Sequence, residues 1–139
     1  KFVDYAMAQR KSLKSGLINV SSLVAYTEGA GSALYAASKA FVNFFTHPIA
    51  FELGEHIDVQ CLTPSLTKTN LFKGKQLPGA DYFPASREVR SSLDQLPTGQ
   101  TMTGGHWSHD LQIPLTKLIG SLAVVQKKKM ETFTTTYKQ

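Results

Sequence analysis

The 139-residue chain contains a single cysteine, Cys61. No internal disulfide can form from it, so the fold does not rely on an oxidising compartment. Cys61 lies in the apolar run Ile57-Asp58-Val59-Gln60-Cys61-Leu62, which predicts a buried thiol rather than a nucleophile. No run of about 20 apolar residues is present to cross a bilayer, and no signal-peptide pattern opens the chain. Gly-x-Ser-x-Gly is lacking, and nothing else positions a serine-hydrolase triad around Ser22. There is no internal repeat and no low-complexity segment. Acidic residues are few: 10 Asp and Glu against 15 Lys and Arg leave a formal charge of +5. Much of that excess lies at the ends, in Lys1, Arg10, Lys11 and Lys14 and again in Lys127, Lys128 and Lys129. Such a distribution favours anionic ligands or an anionic membrane surface. No recognition motif accompanies the charge, so no nucleic acid partner is expected.

What is present describes a globular α/β chain. At 42% hydrophobic and 18% charged residues, it has the apolar content for one folded domain. Residues 1–15 alternate apolar and basic groups, as in a helix stopped by Gly16. Leu17-Ile18-Asn19-Val20 predicts a strand buried on both faces. A loop from Leu23 to Gly31 leads to an N-cap at Ser32 and a helix over Ala33–Leu53, stopped by Gly54. Its apolar residues, among them Phe41, Phe44, Phe45, Ile49 and Phe51, lie on more than one side. The helix is therefore expected to pack on a sheet and also on another helix or a second subunit, giving a homodimer. Pro48 predicts a kink or a division into two segments.

Ile57–Leu62 predicts a second strand, parallel to the first, which completes a βαβ unit. Ligands in such sheets bind beyond the carboxyl ends of the strands, where Ser22 and Thr63-Pro64-Ser65 fall. Lys68 to Pro84 is expected to be a mobile loop. Ser86–Leu96 is expected to be a helix capped by Ser86 and closed by Pro97. Gly104-Gly105 predicts a hinge. Leu111, Leu115, Leu118, Ile119, Leu122 and Val125 then define an amphipathic helix that packs on the domain or lies on a membrane, packing being the expectation.

Ser22, Tyr35 and Lys39 carry the chemistry. Tyr35 and Lys39 are four apart and share one helical face. A phenol ordinarily titrates near pH 10, and an ammonium beside it favours the phenolate. Bringing a tyrosine into the neutral range takes about 4 kcal/mol of such help. Ser22 offers a neutral hydroxyl to hold a substrate oxygen on which negative charge develops. The set suits the reduction of a carbonyl or the oxidation of an alcohol.

The ordered series Asn19-Val20-Ser21-Ser22, Tyr35-Ala36-Ala37-Ser38-Lys39, Glu52-Leu53 and Val59-Gln60-Cys61-Leu62-Thr63-Pro64 resembles the short-chain dehydrogenase/reductase family in detail over residues 16–72. The resemblance implies a Rossmann-like, doubly wound parallel sheet, of which this chain is the carboxyl-terminal part: a βαβ core at 16–72, then a substrate loop and helices at 73–139. It implies that Ser22 orients and binds substrate, that Tyr35 is the acid/base and also a cofactor-binding residue, and that Lys39 activates Tyr35 and binds the cofactor ribose. Where the family continues Pro-Gly-x-x-x-Thr, this chain has Pro64-Ser65-Leu66-Thr67-Lys68-Thr69, so Thr67 and Thr69 match positions that hold the nicotinamide, and Ser65 departs from glycine. The glycine-rich pyrophosphate loop and the Asn-Asn-Ala-Gly segment are absent, which predicts a chain that begins within a longer protein.

Within the family, Ile57–Cys61 and Trp107–Gln112 resemble the long-chain 3-ketoacyl-CoA reductases and their hydroxysteroid dehydrogenase relatives. That likeness implies NADPH rather than NADH, a long-chain acyl-CoA or steroid substrate, and an endoplasmic reticulum membrane location; without it, a cytoplasmic one. Two other readings compete. His106, His109 and Asp110 resemble a metal site but lack a third convincing ligand, so no metal is expected and a surface or substrate-pocket segment is favoured. An inactive reductase-like fragment would act only as an interaction module through its apolar faces. His47 and His56 are expected on helix surfaces.

Overall fold

The computed structural model describes residues 14–27, 31–69 and 82–119, together with positions 4, 5, 8 and 131. The predicted mobile loop from Lys68 to Pro84 and the amphipathic stretch beyond Ile119 fall largely outside the described residues, as does the basic cluster at Lys127 to Lys129.

Strand β1 spans Ser15–Val20 and strand β2 spans Ile57–Leu62. They pair in parallel, Ser15 opposite Ile57 and Val20 opposite Leu62. Helix α1, Ala33–Leu53, connects them, so the predicted βαβ unit is present. Two-residue strands follow at Thr67–Lys68 (β3) and Phe83–Pro84 (β4), which pair with each other. Helix α2 covers Ala85–Gln95, strand β5 covers Met102–Thr103, and helix α3 covers Trp107–Ile119. The main sheet has the order β1-β2-β5, all parallel. With helices on a parallel sheet, this is the Rossmann-like fold that the sequence predicts.

β2 is the buried centre. Ile57, Val59, Cys61 and Leu62 are core residues, and Ala50 of α1 packs directly on Ile57 and Val59 with Leu17, Ile49 and Leu53 around them. Cys61 is fully enclosed, as its apolar setting predicts, and burial pushes its thiol pKa up.

Several local expectations change. The end of the helix expected over residues 1–15 lies outside the described residues; Gly16 itself lies inside β1, where a Cβ would collide with the Leu96 side chain laid across the strand. β1 is not buried on both faces, since Val20 is 53% exposed. The stretch after Ser22 is not all loop: Leu23–Tyr26 forms a 3-10 turn. α1 runs without division through Pro48. Ser32 and Gly54 cap it as expected, although the Ser32 side chain makes no capping bond and Gly54 is in the right-handed helical conformation. Pro84, not Ser86, precedes α2, with its extended backbone leading into the helix. Gly104-Gly105 is no hinge. Both residues are buried, Gly105 has φ 76°, and a Cβ there would sit 2.9 Å from Leu62 and 3.0 Å from Glu88. A positive φ without room for a side chain makes this a packed corner that only glycine fits.

Candidate active site

The carboxyl end of β1 leads straight to Ser22. Ser22 caps the 3-10 turn, its Oγ accepting from the Val24 N–H at 3.3 Å, so its O–H is left to donate. The neighbouring backbone is tied to the end of β2: Ser21 N–H donates to the Leu62 carbonyl at 2.7 Å and Leu23 N–H to the Pro64 carbonyl at 2.9 Å. Ser22 therefore stands beside the Thr63-Pro64-Ser65 turn, beyond the carboxyl ends of two parallel strands.

α1 delivers Tyr35 and Lys39 to the same end. The Lys39 ammonium donates to the Val20 carbonyl at 3.0 Å, and the Ser21 hydroxyl donates to the Lys39 carbonyl at 2.9 Å. Lower down, the Asn19 amide donates to the Thr46 hydroxyl at 3.1 Å, which passes its own proton to the Val42 carbonyl at 2.7 Å. These bonds fix the helix to the strand in both rotation and height. Lys39 Nζ lies 5.8 Å from the Tyr35 ring centroid, within the range of a cation–π contact. Tyr35 is 45% exposed, so its phenol is open to a substrate. Ser22, Tyr35 and Lys39 are thus placed at one end of the sheet, as their spacing predicts.

The sequence reading overlooked what holds them. Ser21, Thr46 and Asn43, whose Oδ1 accepts from the buried Cys61 thiol at 3.2 Å, are polar groups locked between α1 and the sheet. Their signal is visible in retrospect: Ala36, Asn43, Thr46 and Ala50, the buried residues of α1, form one stripe at helical spacing.

The two threonines part company. Thr67, in β3, donates its hydroxyl to Glu88 Oε2 at 2.8 Å. Thr69 is exposed, at the last described position of that segment. Ser65, the departure from glycine, donates its hydroxyl to Gln112 Oε1 at 3.0 Å, a bond glycine lacks. The third parallel strand, missed because two residues carry no periodicity, brings His106 and Trp107 beside this segment. Ser65, Leu66, Phe83, His106, Trp107 and Gln112 line a cavity of about 520 Å³. His106 and His109 are both buried, which corrects the expectation of a surface segment but agrees with one that faces a pocket. Among the described residues no group of histidine, cysteine and carboxylates is arranged to hold a metal.

Of the three N–H donors of Lys39, one is given to the Val20 carbonyl.

A family model of short chain dehydrogenases matches residues 2–78. The chain belongs to the short-chain dehydrogenase family. It is 37% identical over 106 residues to 17-beta-hydroxysteroid dehydrogenase type 3 of Danio rerio, covering 76% of this chain and 33% of that one. It is 39% identical over 62 residues to 3-oxoacyl-(acyl-carrier-protein) reductase FabG of Chlamydia pneumoniae, covering 44% and 25%. A short-chain dehydrogenase of Sphingobium yanoikuyae, solved in complex with NADPH, shares the fold at a TM-score of 0.58 and 24% identity, over 73% of this chain and 39% of that one. The chain spans less than half the length of the curated relatives it matches.

Proposed function

We propose that the complete protein reduces a carbonyl to an alcohol with a nicotinamide cofactor, and that Ser22, Tyr35 and Lys39 are its proton-handling residues. The observation that carries this is the tie between α1 and β1: the Lys39–Val20 and Ser21–Lys39 bonds hold phenol, ammonium and serine at one sheet end. The nicotinamide supplies the hydride. Ser22 O–H donates to the substrate oxygen, its acceptor side already engaged by Val24. Tyr35 gives its phenolic proton to that oxygen as charge develops, and Lys39 steadies the phenolate left behind and the ribose hydroxyls. Thr69 and the Thr67 backbone lie against the nicotinamide.

The substrate in this reading is a long-chain 3-ketoacyl-CoA, and the cofactor NADPH. A relative named as a ketoacyl reductase at 39% identity supports it; one named as a hydroxysteroid dehydrogenase, at 37% over a longer match, favours a steroid as the second reading. Both substrates are large and apolar, in keeping with exposed Trp107 in the lining of the cavity. An endoplasmic reticulum membrane location goes with either, although no helix among the described residues is long and apolar enough to cross a bilayer. The exposed aromatic face of α1 forms a homodimer contact. The test is NADPH oxidation by the complete protein, with a long-chain 3-ketoacyl-CoA and a 17-ketosteroid in parallel. A kcat/KM higher for the thioester by at least tenfold is expected. Preference for the steroid overturns the substrate, and inactivity with both overturns both substrate readings.

A further inference from the structure

Behind the Ser65–Thr67 segment lie two ionisable groups that the proposed chemistry does not use. Glu88 of α2 is 2% exposed and His109 of α3 is 1% exposed. Glu88 Oε2 accepts the Thr67 hydroxyl at 2.8 Å, and His109 Nδ1 accepts the Ser65 backbone N–H at 3.3 Å. Glu88 Oε1 is buried without a hydrogen bond, and the nearest ionisable atom is His109 Nδ1, 3.3 Å away.

His109 Nδ1 faces three groups: the Ser65 N–H and Glu88 Oε1, each at 3.3 Å, and the Gly104 carbonyl at 3.2 Å. The ring thereby bridges the Ser65 segment, the turn after β5 and α2. Burial favours the neutral form of each group, raising the pKa of Glu88 and lowering that of His109. The surrounding groups do not reverse it. Asp110 is occupied by the Gly104 N–H and the Thr103 hydroxyl, His106 lies against His109 at 6.1 Å between ring centroids, and exposed Arg87 rests on Phe83.

We propose that Glu88 and His109 are positioning residues that hold the Ser65–Thr67 segment in the shape that receives the nicotinamide. The role in cofactor binding rests on the function proposed above; the holding of the segment does not.

The experiment therefore has two readouts on the complete protein: amide hydrogen exchange over residues 65–69 without cofactor, and NADPH affinity by fluorescence titration. Glu88→Gln keeps an acceptor for Thr67 and a donor for His109. It is expected to leave both readouts within threefold of wild type between pH 6 and 8. Glu88→Ala is expected to speed exchange at 65–69 at least tenfold and to weaken NADPH at least tenfold, with exchange in β1 and β2 unchanged. Thr67→Val, at a half-buried site, removes only the hydroxyl and should move both readouts the same way if Glu88→Ala does not fold. Unchanged exchange in Glu88→Ala or Thr67→Val overturns the proposal. So does a Glu88→Gln variant as impaired as Glu88→Ala, because the amide oxygen still accepts the Thr67 hydroxyl. Faster exchange with unaltered NADPH affinity overturns the role in cofactor binding, and absence of NADPH binding by the wild type overturns the parent reading instead.

Discussion

At Gly105 and Glu88 the environment of a single atom decides what residue is tolerated. Gly105 combines φ 76° with contact distances of 2.9 and 3.0 Å to Leu62 and Glu88 for any Cβ. Gly105→Ala is expected to cost about 1–3 kcal/mol, measured by urea unfolding, because backbone strain and steric conflict add. Glu88 gives a pH signature. Its folded pKa is raised by burial, so the stability associated with its proton is fully present below the ordinary glutamate range. That stability is lost as pH rises through the raised value. His109 has the opposite sign: its pKa is lowered, so its contribution is present above the ordinary histidine range and lost as pH falls. Glu88→Gln should abolish the loss on the rising side and leave the loss on the falling side, seen as Tm against pH. An unchanged rising limb in Glu88→Gln would assign it to another group.

α1 shows what a hydrophobic pattern conveys and where it misleads. Its ends and its strand partners follow from the sequence, because Gly54 and the β-branched runs on either side punctuate the chain strongly. The buried face does not follow. Phe41, Phe44 and Phe51 dominate the pattern yet are 66%, 82% and 92% exposed, while Ala36, Asn43, Thr46 and Ala50 are buried. Close approach of a helix to a sheet requires small side chains, and polar ones are admitted when paired, as Thr46 is with Asn19 and Val42. Ala50→Leu should therefore destabilise by about 1–3 kcal/mol through overpacking on Ile57 and Val59. The proposed dimer contact predicts the reverse for the outer face. Phe44→Ser together with Phe51→Ser should alter monomer stability little and shift sedimentation toward the monomer; an unaltered oligomeric state would place the contact elsewhere. β3, β4 and β5, two residues each, were illegible because so short a strand has no period, and because β5 is set by its partner Cys61–Leu62.

For the molecule as a whole, the parallel sheet works as a platform whose carboxyl end collects groups from distant parts of the chain. Ser22 follows β1, Ser65 and Thr67 follow β2, and His106 follows β5, while α1 brings Tyr35 and Lys39 down onto the first of these. Ser22, Tyr35 and Lys39, the residues proposed to handle the proton, were readable as a spaced motif because each lies in a long element or at its edge. Glu88 and His109 were not, because their role depends on tertiary contact across 21 and 44 residues of sequence. The most direct measurement of the central claim compares wild type and Tyr35→Phe in the complete protein under single-turnover conditions, with NADPH binding followed separately. The expected result is that NADPH still binds while carbonyl reduction is slowed by about 10²–10⁴-fold, the usual worth of a positioned general acid. Reduction by Tyr35→Phe within a few-fold of wild type would contradict it.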